Sequence, residues 1–554
     1  MEERKIIRQG TENGIHDEGA IRFTAAQEAA LEEIRSAFDS REVVLLHGVT
    51  SSGKTEMYIR LIGETLSKGK QVLYLLPEIA LTAQIINRLK KYFGDRVGVY
   101  HSRFSDQERV EIWNTRFDII LGARSAVFLP FRELGLIIVD EEHDSSYKQM
   151  DPAPRYNGRD AAMVLARIHQ AKTLLGSATP SVESYYNAKQ GKYALVELTE
   201  RYGNMELPKI RVVNIRDELR KGTMRSHFSS PLMQQLTAAL EHREQSILFQ
   251  NRRGFSLRLE CDTCQWMPAC KNCDVTLVYH KKWNQLSCHY CGYVSRVPET
   301  CPQCHGTYLK MKGFGTEKVE EELGLMLPDA RILRMDLDTT RSRHAHRRII
   351  EDFEAGKIDI MVGTQMVTKG LDFDRVSTVC ILNADNMLGF PDFRSEERSF
   401  QLMAQVSGRS GRRYRQGEVI IQTYNPYHPV IRDVVNHDYM SMYLRQIADR
   451  KKYRYPPLYR LVQIRIKHRE LNKMIHAADA LAVKLRQQFG NRVLGPEFPL
   501  VARIMNYHIK HIMIKFERSV KLTEQKQILS RILTGFASDK NYPGIRLIID
   551  VDPS

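Results

Sequence analysis

The sequence predicts an α/β protein: two parallel-sheet lobes, a cysteine-rich insert inside the second lobe, and a small α+β domain at the C-terminal end. Three observations predict it. Short Val/Ile/Leu runs alternate with helical stretches twice over, first in residues 21–200 and again in residues 201–260 and 306–450. Eight of the nine cysteines fall into four C-x-x-C pairs between Cys261 and Cys304, interrupting the second series after its first strand. Past Tyr453-Arg454-Tyr455-Pro456-Pro457 the character changes to alternating strands around one helical run, over residues 451–554.

A chain of 554 residues suits several cores rather than one. No run of eighteen apolar residues is present, which argues against a membrane-crossing helix and a membrane partner. Residues 1–20 are polar and read as a flexible lead-in without the apolar core of a secretory signal, which points to the cytoplasm. In that compartment thiols stay reduced, and clustered C-x-x-C pairs favour metal over disulfides. The formal net charge of +16 favours a polyanionic partner, most simply nucleic acid, over a merely solvated basic surface.

In the first lobe, VVLLHG (43–48), QVLYLLP (71–77), FDIILG (117–122), LGLIIVD (134–140) and KTLLGS (172–177) read as buried strands: short, rich in Val, Ile and Leu, and bounded by Gly, Pro or Asp. Helices between them imply a parallel sheet covered on both faces. The stretch after the first strand, Gly48-Val49-Thr50-Ser51-Ser52-Gly53-Lys54-Thr55, fits G-x-x-x-x-G-K-[ST] between a strand and a helix. Its glycines let backbone N–H groups turn toward phosphate oxygens, and the helix N-terminus adds partial positive charge. The motif therefore predicts an ATP site, with Lys54 reaching the β- and γ-phosphates and Thr55 on Mg²⁺. LGLIIVDEEH supplies the acids: Asp140 for Mg²⁺, Glu141 to orient and activate the attacking water, and His143 to sense the γ-phosphate. The following YKQMDPAPRYNGRD carries Tyr147, Lys148, Arg155, Tyr156 and Arg159, residue types that stack on bases and bind phosphate, although tyrosines also simply pack.

The second lobe repeats the strand signal in SILFQ (246–250), ARILRMD (330–336), IDIMVG (358–363), VSTVCILNAD (376–385) and GEVIIQTY (417–424). FQLMAQVSGRSGR sets Arg409 and Arg412 three residues apart, so they share one helix face, from which they reach across a cleft to a γ-phosphate. Gly408 and Gly411 weaken that helix, a cost that close approach to a ligand would explain.

Eight cysteines suit two tetrahedral Zn²⁺ ions, and closed Cys₄ sites are structural because no position is left for water. An iron–sulfur cluster fits the evenly repeated knuckles less well. His280, His289 and His305 are unnecessary beside complete cysteine sets. Spacing leaves three pairings of the four knuckles open. VTLVYHKKWNQLSC (275–288) reads as a hairpin, and Lys271, Lys281, Lys282 and Trp283 give the insert a basic, aromatic surface suited to a fork wedge and to docking partner proteins.

GVTSSGKT, LLPEIALTAQ, GARSAVFLP, DEEH, GSATPS, LFQNRRGF, GTQMVTKGLDF and QVSGRSGR occur in the order of superfamily 2 helicase motifs. With the eight-cysteine insert, residues 20–554 resemble the primosomal protein N′ (PriA) family of replication-restart helicases. The resemblance implies two RecA-like helicase lobes, Gln27 reading adenine, Gly176–Ser181 coupling hydrolysis to movement, and Arg124 with Ser125 on the DNA backbone. It implies that Gly363-Thr364-Gln365 and Lys369-Gly370 touch DNA and nucleotide, with Asp372 near the ribose. It implies that 147–160 is the aromatic-rich loop through which DNA triggers hydrolysis. It implies nested zinc pairing: Cys261, Cys264, Cys301 and Cys304 on one ion, Cys270, Cys273, Cys288 and Cys291 on the other. It implies a 3′→5′ DNA helicase restarting stalled forks in the bacterial cytoplasm, associated with the nucleoid. The implied partners are forked and single-stranded DNA, single-strand-binding protein, other primosome proteins and the replicative helicase. Family members carry a further N-terminal region that binds a nascent 3′ end, for which the short tail before Phe23 has no counterpart. The competing readings are a zinc-stapled DNA-binding scaffold with a degenerate ATPase, against which Lys54, Asp140, Glu141, Arg409 and Arg412 argue, and an RNA helicase, against which the cysteine insert argues.

Overall fold

In the computed structural model the described residues are 21–553, except 78–82, 102–103, 203–205, 251–257, 281–283, 313–314, 337–338, 341–342, 369–372 and 412–415. The chain divides into two compact units, Met1–Asn251 with Glu320–Gln446, and Arg252–Val319 with Ile447–Ser554. The cysteine insert therefore groups with the C-terminal domain. No helix of the described residues is long and apolar enough to cross a membrane.

The first unit holds two RecA-like lobes. In the first lobe, β1 (Val43–Gly48), β2 (Gln71–Leu75), β3 (Val97–Tyr100), β4 (Ile119–Gly122), β5 (Leu134–Asp140), β6 (Lys172–Ser177) and β7 (Ala194–Leu198) form one sheet in the order β3-β4-β2-β5-β6-β1-β7. Every pairing is parallel. The central strands are buried along their length, with Val44, Leu45, Leu46, Val72, Leu73, Ile137 and Ile138 wholly inaccessible, as a sheet covered on both faces requires.

In the second lobe, β8 (Lys209–Asn214) and β9 (Gln245–Phe249) precede the insert, whose strands are β10 (Arg258–Cys261), β11 (Val278–His280), β12 (Gln285–Ser287), β13 (Val294–Arg296) and β14 (Leu309–Lys312). The chain then returns to the lobe as β15 (Ile332–Met335), β16 (Ile360–Gly363), β17 (Val376–Ile381) and β18 (Glu418–Thr423), giving a parallel sheet in the order β15-β16-β9-β17-β18-β8.

All the strands expected from apolar runs are present. The three strands of the two lobes that sequence reading passed over, β3, β7 and β8, are all edge strands. An edge strand is only half covered, so its residues alternate instead of running apolar; β8 is KIRVVN, with Lys209 and Arg211 exposed.

In the second unit, β10 and β14 pair antiparallel, and β11, β12 and β13 form a meander, so the expected hairpin over 275–288 is formed. The terminal domain is an antiparallel sheet of β19 (Tyr459–His468), β20 (Val493–Glu497), β21 (Arg503–Ile504), β22 (Tyr507–Glu517) and β23 (Arg546–Val551). Helices Leu471–Phe489 and Leu522–Ala537 share one core with its Val462, Ile464, Ile466, Ile512 and Ile514.

Candidate nucleotide cleft and zinc sites

Strand order assembles the first site. β5, β6 and β1 are neighbours, so the segments following their C-terminal ends, which carry DEEH, GSATPS and the phosphate loop, meet along one edge of the sheet. This is where open parallel sheets place ligands.

The loop turns through Ser51 (φ 63°) and Gly53 (φ 82°) into the helix Lys54–Ser67. A side chain at Gly53 would overlap the Gln27 amide, whose nitrogen stands 2.1 Å from where a Cβ would lie. Gln27 is buried against the loop and donates to the Ser52 carbonyl at 2.8 Å. Its other amide atom accepts from the Thr24 N–H at 2.9 Å, closing a capping box on the helix Ala25–Ser40. Gln27 thus anchors the phosphate loop. The Lys54 ammonium donates to the Gly48 and Val49 carbonyls at 2.7 and 3.3 Å.

Asp140 ends β5 inside a collar of donors. Tyr58 and Tyr74 hydroxyls reach its two oxygens at 3.1 and 3.3 Å, and the Glu141 N–H reaches it at 3.0 Å. Burial, and then the neighbouring Glu141 carboxylate, push the Asp140 carboxyl up to about 6. Burial and Asp140 likewise raise both tyrosines, so they remain protonated donors. The collar explains the glycine of GSATPS: a Cβ at Gly176 would lie 1.8 Å from the Tyr58 hydroxyl. Glu141 itself adopts a left-handed backbone (φ 48°), a strained conformation for a residue with a Cβ.

The second lobe closes on these residues through one helix, Ser395–Ser407. Glu397, Gln401 and Gln405 stand four residues apart and so form one stripe. Glu397 accepts the Val182 N–H at 2.8 Å, and Gln401 donates to the Thr179 carbonyl at 3.2 Å. Gln405 donates to Glu141 at 3.1 Å and to His143 Nε2 at 3.0 Å. For His143 to accept at Nε2 it must carry its proton on Nδ1, which then donates to Ser177 Oγ at 2.8 Å. A continuous path therefore runs from the second lobe through Glu141 and His143 into GSATPS. Glu142 is turned away from the cleft. It accepts from Ser181 N–H (2.6 Å), Ser184 Oγ (2.7 Å) and Arg159 (2.8 Å), tying DEEH to the end of GSATPS.

Beyond that helix, Gly408 touches the phosphate loop: a Cβ there would lie 2.7–2.9 Å from Thr50. The close approach is thus to the loop itself. Burial lowers the pKa of Arg409, and the negative charge of Glu141 opposes that shift. The expectation that Arg409 and Arg412 share a helix face is corrected. The helix stops at Ser407, before both, and Gly411 turns the chain left-handed (φ 69°). Arg412, Lys369, Gly370 and Asp372 lie outside the described residues, as do Lys281, Lys282 and Trp283.

The expected DNA-contact loop is also largely internal. Tyr147 is buried and donates to the Asp140 carbonyl at 2.7 Å, Lys148 donates to the Arg155 carbonyl at 2.9 Å, and Arg159 is spent on Glu142. Tyr156 packs edge-on against the exposed Phe128. Arg124 donates to the Ser146 carbonyl at 2.7 Å. Sequence reading missed Tyr58, Tyr74, Glu142, Glu397, Gln401 and Gln405. The only signals were Tyr58 four residues past Lys54 on one helix face, and the polar stripe at i, i+4, i+8.

The cysteines form two quartets, Cys261/Cys264/Cys301/Cys304 and Cys270/Cys273/Cys288/Cys291, with the sulfurs of each set within 4.8 Å of one another. The nested pairing is the one found. Cys261–Cys304 and Cys264–Cys301 approach to 3.6 Å and Cys270–Cys291 to 3.5 Å. A tetrahedron with Zn–S near 2.3 Å has edges of about 3.8 Å, so both sets fit zinc. Within each quartet the thiols separate: the Cys264 N–H brings Cys261 down to about 6 and that of Tyr293 brings Cys291 down to about 7, while Cys264 and Cys273 are pushed up to about 12. His280 and His289 face each other at 3.0 Å and belong to neither quartet.

Residues 24–188 match the DEAD/DEAH box helicase family and 315–414 the helicase conserved C-terminal domain. Residues 270–296 match the PriA DNA helicase Cys-rich region domain and 451–554 the primosomal protein N C-terminal domain. Similar curated relatives share the name replication restart protein PriA. The protein of Bacillus subtilis is 43% identical over 539 residues, covering 96% of this chain and 66% of the relative. That of Synechocystis sp. is 40% identical over 568 residues, covering 100% and 67%. That of Chlamydia pneumoniae is 37% identical over 535 residues, covering 95% and 71%. This chain thus spans about two thirds of the length of these relatives. With both helicase lobes, the inner part of the cysteine-rich insert and the terminal domain matched, and a relative 37% identical covered over 71% of its length, the chain belongs to the replication restart protein PriA family.

Proposed function

We propose that this chain is an ATP-dependent DNA helicase that moves 3′→5′, remodels stalled replication forks and restarts replication by helping to load the replicative helicase. The observation that carries the motor reading is the stripe Glu397, Gln401 and Gln405. It ties the second lobe to both DEEH and GSATPS, so any change at the phosphate site alters how the lobes meet. Lys54 and the backbone of Gly48–Thr55 bind the phosphates, Glu141 orients the attacking water, and Arg409 and Arg412 neutralise charge on the γ-phosphoryl group as it passes to water and ADP leaves. Gln27 holds the loop and faces the adenine, and Gly370 and Asp372 border the sugar. A buried carboxylate destabilised by its neighbour suits a divalent cation, so Asp140 and Thr55 would hold Mg²⁺, which neutralises phosphate charge when bound.

The work divides along the chain: residues 21–200 bind ATP, 201–260 with 306–450 close the cleft, 261–305 form the zinc insert at the fork, and 451–554 contact branched DNA and single-strand-binding protein. The setting is the bacterial cytoplasm, at the nucleoid, with other primosome proteins as partners.

Replacing Lys54 with Ala tests the motor. DNA-stimulated ATP hydrolysis and unwinding of a labelled fork should fall by about 10²–10³-fold, the scale of losing one preorganised charge contact. Hydrolysis at the wild-type rate would remove the reading. Stimulation by RNA equal to that by fork DNA would move it to RNA.

A further inference from the structure

Four cysteine knuckles invite comparison with one another. All four share one closure: the N–H of the first cysteine donates to the carbonyl five residues on, Cys261 to Trp266 and Cys270 to Val275 at 2.9 Å, Cys288 to Tyr293 and Cys301 to Gly306 at 2.8 Å. Three share a second closure. The residue after the knuckle, Gln265 (φ 60°), Gly292 (φ 73°) or His305 (φ 58°), turns left-handed, and its N–H returns to the carbonyl of the first cysteine at 2.8–2.9 Å.

The knuckle Cys270–Cys273 breaks this pattern. Asp274, in the equivalent place, donates its N–H to the Arg503 carbonyl of the terminal domain at 2.9 Å. Other bonds join the same two segments. The Met505 N–H donates to Cys273 Sγ at 3.2 Å, and the Asn506 N–H to the Asn272 carbonyl at 2.8 Å. The Arg503 guanidinium reaches the Asp274 carboxylate and the Lys271 carbonyl, both at 2.9 Å. Ile504 packs against the insert core of Leu259, Leu277 and Leu286. Met505 and Asn506 are the two central residues between β21 and β22, both left-handed (φ 51° and 62°). This is a tight two-residue hairpin turn, whose rigidity fixes the direction of its N–H groups.

We propose that the β21–β22 turn is a built part of the inner zinc site: the terminal domain completes the Cys270–Cys273 knuckle from outside, and zinc occupancy there and docking of the turn stabilise each other. The physical link is charge. A zinc-bound cysteine is a thiolate, and an N–H aimed at it makes a charge-assisted bond that weakens when the sulfur is a neutral thiol. By linkage, whatever favours the docked turn favours the loaded site, and the reverse. The outer quartet closes both of its knuckles within the insert and serves as an internal control.

The 554-residue chain loaded with both ions is challenged with excess chelator, and zinc release is followed with a colorimetric indicator. In an Arg503→Ala/Asn506→Ala variant one zinc equivalent should leave about fivefold faster or more, as expected for loss of hydrogen-bonded support behind a ligand, while the other keeps its wild-type rate. Repeating this on a Cys261→Ser/Cys264→Ser background identifies the fast ion as the inner one. Independently, hydrogen exchange at the Met505 and Asn506 amides should rise about tenfold in Cys270→Ser/Cys273→Ser and stay unchanged in Cys261→Ser/Cys264→Ser, with the β19–β22 amides protected in both as a check on folding. Wild-type release of both ions from the double variant, or equal exchange at the turn in the two cysteine variants, overturns the proposal.

Discussion

The nucleotide cleft and the cysteine insert each hold charge in place, but on opposite length scales. In the cleft, groups from Gln27, Lys54, Asp140, His143, Ser177 and Gln405 converge because β5, β6 and β1 are neighbours and a second lobe abuts them. In the insert, each half-site is a C-x-x-C turn that carries its own backbone N–H donors. The cleft is therefore composite: it is built from two lobes, and its groups are tuned by partners such as Tyr58 and Gln405. The insert is all-or-none, since a tetrahedral site with three ligands is a different site. The Cys270–Cys273 knuckle is the exception that borrows from a distant segment, and so behaves partly like the cleft.

Removing two ligands should show the all-or-none behaviour most strongly. Cys270→Ser with Cys273→Ser is expected to drop bound zinc from two ions to one, because a structural site with an apparent zinc affinity of about 10–16 kcal/mol does not survive on two ligands; metal analysis by atomic emission checks this. Retention of both ions would break the comparison.

In the cleft the response should be graded. Gln405→Ala cuts the bond between the second lobe and both Glu141 and His143. We expect kcat for DNA-stimulated hydrolysis to fall about tenfold with KM for ATP changed less than threefold, since the contact serves closure rather than ground-state binding. An equal rise in KM would assign Gln405 to nucleotide binding instead.

Tyr58→Phe removes one hydroxyl from the Asp140 collar and keeps the ring. The Mg²⁺ concentration for half-maximal hydrolysis should shift about three- to tenfold, with the maximal rate within twofold, as expected for a group that orients a metal ligand. Mn²⁺ binding followed by electron paramagnetic resonance gives the same answer without turnover. No shift in either would make the collar purely structural.

The smallest effect is in the terminal domain. Burial, followed by the charges of Arg465 and Lys467, pushes the His511 imidazole down to about 4. Between about 4 and 6.5 the unfolded chain then binds a proton that the folded domain excludes. Stability is full above 6.5 and declines as pH falls through that window. His511→Gln should remove on the order of 1–2 kcal/mol of this decline, allowing for partial solvent access, as measured by urea denaturation across pH.

How much was legible follows the same division. The buried central strands announced themselves as unbroken apolar runs, while β3, β7 and β8, at sheet edges, offered only short or polar-interrupted runs; the edge strand β15 stayed legible because its ILRM is mostly apolar. The phosphate loop, DEEH and all eight cysteines could be read directly, since their chemistry resides in short spacings along the chain. Tyr147 and Arg159 looked like DNA contacts but are internal ties to Asp140 and Glu142. Residue type in a loop says what a side chain can do, and packing selects which partner it meets.

Sequence alone determined the elements whose information is local: the glycine-lysine turn, the acid pair ending a strand, and four knuckles that chelate within a few residues. Only the tertiary structure decided that Gln405 bridges Glu141 and His143, that two tyrosines clasp Asp140, and that the β21–β22 turn finishes the inner zinc knuckle. Those contacts join residues 66 to 264 positions apart, and a separation of that size leaves no periodicity or spacing to read. It is set by which strands neighbour one another and which helix the second lobe turns toward the first.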